Sequence, residues 1–229
     1  MKILKRVPLN HEAIKGTAAV KQYDKGARLY MLPEYKYFAH KVRRRGIRAG
    51  KVLDIGTGSG RLAIELAKTK GNEYEITGLD VSQDMLARAK ENAKAAGMNG
   101  KITFIKGNGA ALPFPDKSFD LVVSYASLHH WANPEQVFAE ARRVVKEGGA
   151  VIIRDNRRVY GNPFWEVFIR GLSLFMNKRH RDNWPKAIMS SYTLPEVQEI
   201  IHKSGLDYRV GLDFIKFDLC VETPLRKNC

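Results

Sequence analysis

Hydrophobic residues recur along this chain in two alternating patterns. Short continuous apolar runs predict strands that are buried on both faces, as in a parallel sheet. Longer stretches with apolar residues three or four positions apart lie between these runs and predict amphipathic helices. The predicted strands cover residues 51–55, 74–80, 101–106, 119–125, 150–154, 206–211 and 214–221. Because helices alternate with strands, the pattern predicts a doubly wound α/β fold with right-handed crossovers.

Capping residues set the boundaries of the predicted helices. A helix over residues 59–70 follows the first strand, and Ser82 is the expected N-cap of the next one. A third helix is predicted to begin at Pro134 and to close at the glycine pair 148–149. Thr193 is expected to cap the last helix.

Two segments lie outside this regular alternation. Residues 1–49 are predicted to form an N-terminal helical cap in two pieces broken by Pro33, with an arm over residues 1–20. Residues 155–192 are predicted to be a helical insertion after the fifth strand. The chain of 229 residues is long enough for one such domain, and we expect residues 1–229 to form it.

A glycine-rich turn follows the first strand. Gly56, Gly58 and Gly60 occupy every second position before a helical stretch begins. Glycine permits positive φ and close approach of a ligand, and the free N–H groups of a helix start favour an anionic group. The spacing is G-x-G-x-G, which differs from the G-x-G-x-x-G of dinucleotide-binding proteins. A plain tight connection between strand and helix is the alternative interpretation.

A second strand ends in Asp80, 26 residues after Asp54. A carboxylate at the tip of that strand can accept hydrogen bonds from both hydroxyls of a ribose. The alternative is that Asp80 only caps the following helix.

Four segments in this order carry a family resemblance: VLDIGTGSG, GLDVSQDMLARAKENA, GNGAALPFPDKSFDLVVSYASLHH and FAEARRVVKEGGAVIIRD. Together they resemble a class I S-adenosylmethionine-dependent methyltransferase. Within that class the chain is similar to the methyltransferase type 11 group, which includes the ubiquinone and menaquinone C-methyltransferases. The resemblance covers residues 20–155 well. It implies a seven-stranded, mostly parallel sheet of order 3-2-1-4-5-7-6 with strand 7 antiparallel.

The resemblance also implies S-adenosylmethionine as the cofactor and assigns roles to individual residues. Asp54 would hold the methionine amino group and Asp80 the ribose. Asn108 stands where the family usually has Asp, and its side-chain oxygen can accept the same bond from adenine. The residues expected to contact the cofactor are Tyr23, Asp54, Gly56, Thr57, Gly58, Gly60, Asp80, Val81, Asn108, Gly109 and Ser124.

A histidine pair follows the fourth strand. His129 and His130 lie at the carboxyl end of a central strand, where open α/β sheets bind ligands, and either is a candidate general base. The alternative is a structural segment, since Leu-His-His recurs in the family among enzymes with unrelated substrates. The sequence predicts no metal site.

The net charge of +15 is unevenly distributed. Residues 1–50 carry a net charge of +10, residues 51–150 +1 and residues 151–229 +4. Basic flanks indicate an anionic partner, which could be RNA, a phosphorylated or carboxylated metabolite, or a membrane surface. A lysine-rich solvated surface is the alternative.

Three functions compete on these observations. The first is methyl transfer to a small-molecule acceptor, anionic or partly hydrophobic, by in-line displacement. The second is an RNA or protein methyltransferase, although no Asn-Pro-Pro-Tyr motif follows the fourth strand. The third is a nucleotide-binding protein without methyl transfer. The glycine spacing argues against a nicotinamide oxidoreductase.

The cysteine content and the absence of apolar targeting segments bear on the cellular compartment. With two cysteines, no secretory signal and no membrane span, a reducing cytoplasm is expected.

The N-terminal arm and the 155–192 insertion are expected to form a roof over the acceptor site together. The residues expected to line this roof are Arg154, Arg157, Tyr160 and Trp165.

Overall fold

The computed structural model describes residues 4–8, 14, 16–159, 161–176, 178–213 and 218–224. Within these residues one sheet contains seven strands: β1 Ala49–Ile55, β2 Glu73–Asp80, β3 Ile102–Lys106, β4 Phe119–Tyr125, β5 Val145–Asn156, β6 Arg209–Asp213 and β7 Asp218–Glu222. The helices are α1 Thr17–Tyr30, α2 Leu32–Arg43, α3 Arg61–Lys68, α4 Gln83–Ala95, α5 Pro134–Val144, α6 Pro163–Ser173, α7 Lys178–Ser190 and α8 Leu194–Lys203, with a 3₁₀ turn at Leu128–His130.

The strand order is β3-β2-β1-β4-β5-β7-β6. Strands β1 to β5 pair with one another in parallel, whereas β7 is antiparallel to both β5 and β6. The predicted fold class and strand order are therefore confirmed. The order reverses between β1 and β4, and such a reversal opens a crevice at the carboxyl edge of an α/β sheet.

The central strands are buried on both faces, as their continuous apolar runs predicted. In β1, Leu53 packs into the core that contains α5 and α8, while its neighbour Val52 packs into the core with α2 and α3. In β4, Val122 packs into the first of these cores and Leu121 into the second. This alternation is the period of two expected of a strand, and it makes the domain a three-layer structure.

Several boundaries differ from the predictions. Helix α5 ends at Val144, because Val145 pairs with Phe119 and already belongs to β5, so the glycine pair lies inside an irregular strand start. The break between α1 and α2 falls at Met31, since Pro33 fits the first turn of α2, where no N–H is needed.

Strand β6 begins at 209, later than predicted. The described part of β7 covers Asp218–Glu222, and residues 214–217, which the prediction placed in the same strand, lie outside the described residues. The predicted caps are confirmed: Ser82 accepts a hydrogen bond from the Met85 N–H, and Thr193 forms a capping box with Glu196.

The two segments outside the regular alternation are helical. The N-terminal part contains α1 and α2, and the chain between β5 and α8 contains α6 and α7. No helix among the described residues is long and apolar enough to cross a membrane.

A buried carboxylate fastens the N-terminal helices to the sheet domain. Asp24 of α1 is fully buried and accepts two hydrogen bonds of 2.7 Å from Arg61 at the start of α3. It also accepts hydrogen bonds from Arg88 at 2.9 Å and Asn92 at 3.0 Å, both on α4. Burial alone would raise the pKa of Asp24, but the hydrogen bonds from Arg61 and Ser59 outweigh it and lower the pKa. Three helices therefore meet at one ionised group.

Replacing Asp24 by asparagine should lower the free energy of unfolding by about 3 kcal/mol at neutral pH, because two guanidinium groups lose their buried counter-charge. Since the folded-state pKa is lowered, this stabilisation is present above the unfolded-state value of about 3.9 and disappears as the pH falls through the folded-state value. Urea unfolding at neutral and acidic pH measures both effects.

Glu91 offers a matched control, because it pairs with the same Arg88 but is 59% exposed. Glu91→Gln should change the free energy of unfolding by less than about 1 kcal/mol. Equal losses for the two variants would contradict the assigned role of Asp24.

Candidate functional site

A cavity of about 440 Å³ opens at the carboxyl edge of the sheet, where the strand order reverses. Its walls come from the turn after β1, the end of β2, the loop after β3 and the segment after β4. The N-terminal part adds Ile14, Tyr23 and Tyr35. The cavity is therefore enclosed by the sheet edge and by the helices that Asp24 fastens to it.

The glycine turn is held against β2 by its backbone. The N–H groups of Gly56 and Thr57 both donate to the Leu79 carbonyl, at 2.8 and 3.0 Å. Gly56 has a φ of 73°, and a Cβ there would lie 2.4 Å from the Ser127 hydroxyl oxygen. Gly58 has a φ of 54°, and open space faces it within 4 Å. The turn thus presents bare backbone to the cavity.

Asp80 lines this cavity at the tip of β2. Its Oδ2 accepts a hydrogen bond from the Gly58 N–H at 2.8 Å, and its Oδ1 accepts one from the Ser82 N–H at 2.9 Å. Burial raises the pKa of Asp80, although the backbone hydrogen bonds from Ser82 and Gly58 oppose the shift. The side-chain cap of α4 is Ser82, so Asp80 is not needed to cap that helix.

Asp54 is the second carboxylate of the cavity wall. It is 1% exposed and accepts a hydrogen bond of 2.7 Å from the Thr57 hydroxyl. Burial raises its pKa to about 7, the hydrogen bond from Thr57 opposes the shift, and the charge of Asp80 adds to it. A cationic group bound beside Asp54 would favour its ionised form.

The loop after β3 forms a third wall. Asn108 and Gly109 both line the cavity, and the Asn108 Oδ1 accepts a hydrogen bond from the Ala110 N–H at 2.9 Å. An amide oxygen has two lone pairs, so one acceptor position remains. Val81 lines the same region and is 52% exposed.

Two of the expected contact residues lie behind the cavity wall. Ser124 is fully buried, and its hydroxyl donates to the Ile55 carbonyl at 2.7 Å, which ties β4 to the end of β1. Gly60 precedes α3 and donates its N–H to the Thr57 carbonyl at 2.9 Å. Both residues support the glycine turn, and neither lines the cavity.

Only one histidine of the pair lines the cavity. His130 lines the cavity, whereas His129 is buried with its Nδ1 2.8 Å from Asp155 Oδ1. The backbone N–H of His129 also donates to Asp155 at 2.9 Å. The centres of the His129 and His130 rings lie 4.1 Å apart. Sequence reasoning missed Asp155, because its proximity to His129 arises from the parallel pairing of β4 with β5.

Of the two segments expected to roof the acceptor site, only the N-terminal one lines the cavity. The described residues of 155–192 do not line it. Arg154 is fully buried, forms an ion pair with Asp218 and lies 5.0 Å from the centre of the Tyr37 ring.

The other expected roof residues lie elsewhere. Arg157 is half-buried, and burial lowers its pKa. Trp165 packs in a small core between α6 and α7, and Tyr160 lies outside the described residues.

Three further aromatic residues line the cavity: Tyr35, Tyr125 and Trp131. The Tyr125 hydroxyl donates to Glu34, and Tyr125 was not expected from the sequence. Burial raises the pKa of Tyr23 to about 12, so this phenol stays protonated at neutral pH. The position of Tyr125, the last residue of a central strand, is the one signal that could have identified it.

Sequence comparisons agree with this architecture. Residues 53–153 match the family described as a methyltransferase domain. A sterol 24-C-methyltransferase of Gibberella zeae is 40% identical over 114 residues, which cover 49% of this chain and 29% of that protein. A ubiquinone/menaquinone biosynthesis C-methyltransferase of Cronobacter sakazakii is 26% identical over 179 residues, which cover 78% of this chain and 64% of that protein. The chain thus spans less than two thirds of the length of either relative.

Solved structures show the same fold over nearly the whole chain. A putative S-adenosylmethionine-dependent methyltransferase from Methanococcus maripaludis is 26% identical, with a TM-score of 0.75, covering 93% of this chain and 95% of the other. A methyltransferase from Aquifex aeolicus shares the fold at 22% identity and a TM-score of 0.66, covering 93% and 100% of the two chains. Residues 53–153 therefore match a methyltransferase domain, and the chain is similar in sequence and fold to S-adenosylmethionine-dependent methyltransferases.

Proposed function

We propose that this protein transfers the methyl group of S-adenosylmethionine to a small, partly hydrophobic acceptor by in-line displacement. The observation that carries the proposal is the meeting of the glycine turn, Asp54 and Asp80 in one cavity at the strand-order reversal. A cavity of about 440 Å³ lies within the range of roughly 300–1,000 Å³ typical of small-ligand sites.

The residues present fit the cofactor chemically. The Asp80 carboxylate has about four acceptor positions and uses two of them for backbone N–H groups. The remaining positions can accept hydrogen bonds from the two ribose hydroxyls. Asp54 can pair with a cationic end of the ligand, whose charge would favour the ionised carboxylate and offset the effect of burial on its pKa.

When bound, S-adenosylmethionine supplies an electrophilic methyl carbon on a sulfonium. The residues of this chain then have to bind, orient and exclude water, because the methyl donor carries its own activation. Holding the reacting atoms in line can contribute on the order of 7–11 kcal/mol. Tyr23 and Tyr35 from the N-terminal part cover this edge of the sheet and help to keep water out.

A general base is needed only if the acceptor loses a proton. His130 is our candidate, because it lines the cavity. His129 is held by Asp155 and packs against the ring of His130, so we assign it a positioning role.

The lining favours a hydrophobic or aromatic acceptor over an anionic one. Tyr35, Tyr125 and Trp131 supply aromatic surface, while the described lining contains no lysine or arginine. Arg154, expected to meet an anionic acceptor, is committed to its ion pair with Asp218.

The state of Cys220 bears on the compartment. Cys220 is a buried free thiol, which is compatible with the reducing cytoplasm that we propose for this protein.

The basic flanks keep RNA or protein methylation as the second candidate function, because residues 1–50 carry a net charge of +10.

Incubation with methyl-labelled S-adenosylmethionine tests the function. We expect label to enter a small-molecule metabolite fraction, and not RNA or protein fractions prepared from the same cells. Label in RNA, with activity that falls steeply as salt rises, would favour the second function instead, because many counterions are released from a nucleic acid. Cofactor binding without label in any fraction would support the third function, nucleotide binding without methyl transfer.

The pH dependence of cofactor binding tests the role of Asp54. Because its pKa is raised to about 7 in the free protein, Asp54 is mostly protonated at about pH 6. A cationic ligand group favours the ionised form, so S-adenosylmethionine affinity should rise from about pH 5 to about pH 8, with release of a proton. Calorimetry in buffers of different ionisation enthalpy measures this proton directly.

The matched variant is Asp54→Asn, which keeps the shape and removes the titration. Its affinity should be lower and should no longer rise with pH. In the free protein, the unfolded-state pKa of Asp54 is about 3.9, so its titration should lower the wild-type free energy of unfolding between about pH 4 and pH 7. Burial also raises the pKa of Asp218 to about 7, so the variant should lose only the part of this slope that Asp54 contributes. A pH dependence of cofactor affinity that is the same in both proteins would contradict the assignment.

A further inference from the structure

The helix after β5 exposes an unusual amount of apolar surface. Of the eleven exposed large hydrophobic side chains among the described residues, six lie between positions 164 and 175. We call these six the α6 apolar face: Phe164, Val167, Phe168, Leu172, Leu174 and Phe175, which are 67%, 71%, 43%, 41%, 71% and 85% exposed. Apolar side chains clustered in this way on a surface mark an interaction site.

The face is a property of the helix and not of a disordered loop. Residues 164, 167, 168 and 172 recur at the spacing that places side chains on one side of a helix. The opposite side is occupied, since Ile169 and Ser173 are buried and Ile169 packs with Ile188 of α7. Helix α6 is thus anchored to the protein by one side and presents hydrophobic residues on the other.

Aromatic rings organise the exposed side. The rings of Phe164 and Phe168 stack at 6.4 Å, and Trp165 packs edge-on against them at 5.3 and 5.7 Å. The exposed side therefore combines aromatic rings with aliphatic groups. Val167, Leu172 and Leu174 cannot stack on nucleobases, so the composition fits a hydrocarbon phase better than a nucleic acid.

Basic residues accompany the apolar face. Residues 161–190 contain five Lys or Arg against two acidic residues. Arg170 lies on α6 between Val167 and Leu174, and Lys178, Arg181 and Lys186 of α7 are exposed as well. Of the two acids, Glu166 accepts a hydrogen bond from the Gly161 N–H at 2.9 Å. The segment that carries the face therefore has a net charge of +3.

These observations select one partner. We propose that the α6 apolar face docks on the surface of an anionic lipid bilayer, with its rings in the headgroup and acyl boundary and its basic residues on the lipid phosphates. A second copy of the chain would bring the same cationic residues of two molecules together, which like-charge repulsion opposes. The proposal goes beyond the proposed function and does not depend on it, because the described residues of α6 do not line the cavity.

Vesicle flotation of the full chain tests the proposal. The protein should float with vesicles of phosphatidylcholine mixed with phosphatidylglycerol, and more weakly with phosphatidylcholine alone. Raising the salt from about 0.1 M to about 1 M shortens the Debye length from about 10 Å to about 3 Å and should reduce the binding. No flotation with anionic vesicles would overturn the proposal.

Substitutions on the α6 apolar face distinguish specific docking from nonspecific adsorption to vesicles. The triple variant Phe164→Ser, Phe168→Ser, Phe175→Ser should bind anionic vesicles more weakly by on the order of tenfold or more, since its rings no longer enter the bilayer. Leu29→Ser is the matched control, because Leu29 is 63% exposed on a different helix and should not change the binding. Equal binding by the triple variant and wild type would sink the proposal.

A charge variant and an association measurement complete the test. Arg170→Glu together with Lys178→Glu should weaken binding to anionic vesicles and leave binding to neutral vesicles nearly unchanged. All variants should retain the thermal unfolding temperature of the wild type within a few degrees. If sedimentation instead shows a wild-type dimer that the triple variant converts to a monomer, and neither protein floats, then a second copy covers the face and the membrane proposal is wrong.

Discussion

The attachment of the glycine turn to the tip of β2 is the constraint on which the site depends. Gly56 and Thr57 donate to the Leu79 carbonyl, and Gly58 donates to Asp80. These bonds close the β1 turn onto the neighbouring strand, so that Asp54 and Asp80 face one cavity. A side chain at Gly56 would collide with Ser127, which also explains why the tight turn needs glycine there. The proposed roles of Asp54 and Asp80 in cofactor binding follow from this local geometry.

A second attachment encloses that geometry. Asp24 ties α1 to α3 and α4, and the same N-terminal part places Tyr23 and Tyr35 over the cavity. The helix that carries the glycine turn at its start is therefore the one that holds the N-terminal helices through Arg61. The same buried carboxylate therefore stabilises the fold and holds in place the helix that carries Tyr23.

Local sequence signals were sufficient for much of the fold. Continuous apolar runs identified the central strands, and Ser82 and Thr193 were recognisable as caps because a cap depends on residues three positions away. The end of α5 was misplaced because Val145 is drawn into the sheet by Phe119, a partner that no local pattern reveals.

The acceptor side depended on distant contacts and was harder to anticipate. Arg154 was expected at the surface of the site, yet Asp218 and the Tyr37 ring bury it. Asp155 was overlooked, although it holds His129. The exposed side of α6 also escaped notice, because an apolar helix is ordinarily predicted to be buried and only the structure shows which side lacks a partner.

Titration calorimetry with S-adenosylhomocysteine and NAD tests the central claim, that Asp80 and the glycine turn bind the nucleoside of the cofactor. Wild type should bind S-adenosylhomocysteine and not NAD. Asp80→Ala should weaken that binding by about 1–3 kcal/mol, because the ribose hydroxyls lose a charged acceptor. Glu75→Ala, an exposed carboxylate on the same strand, should leave it unchanged. Binding of NAD without S-adenosylhomocysteine, or an Asp80→Ala protein with wild-type affinity, would contradict the account.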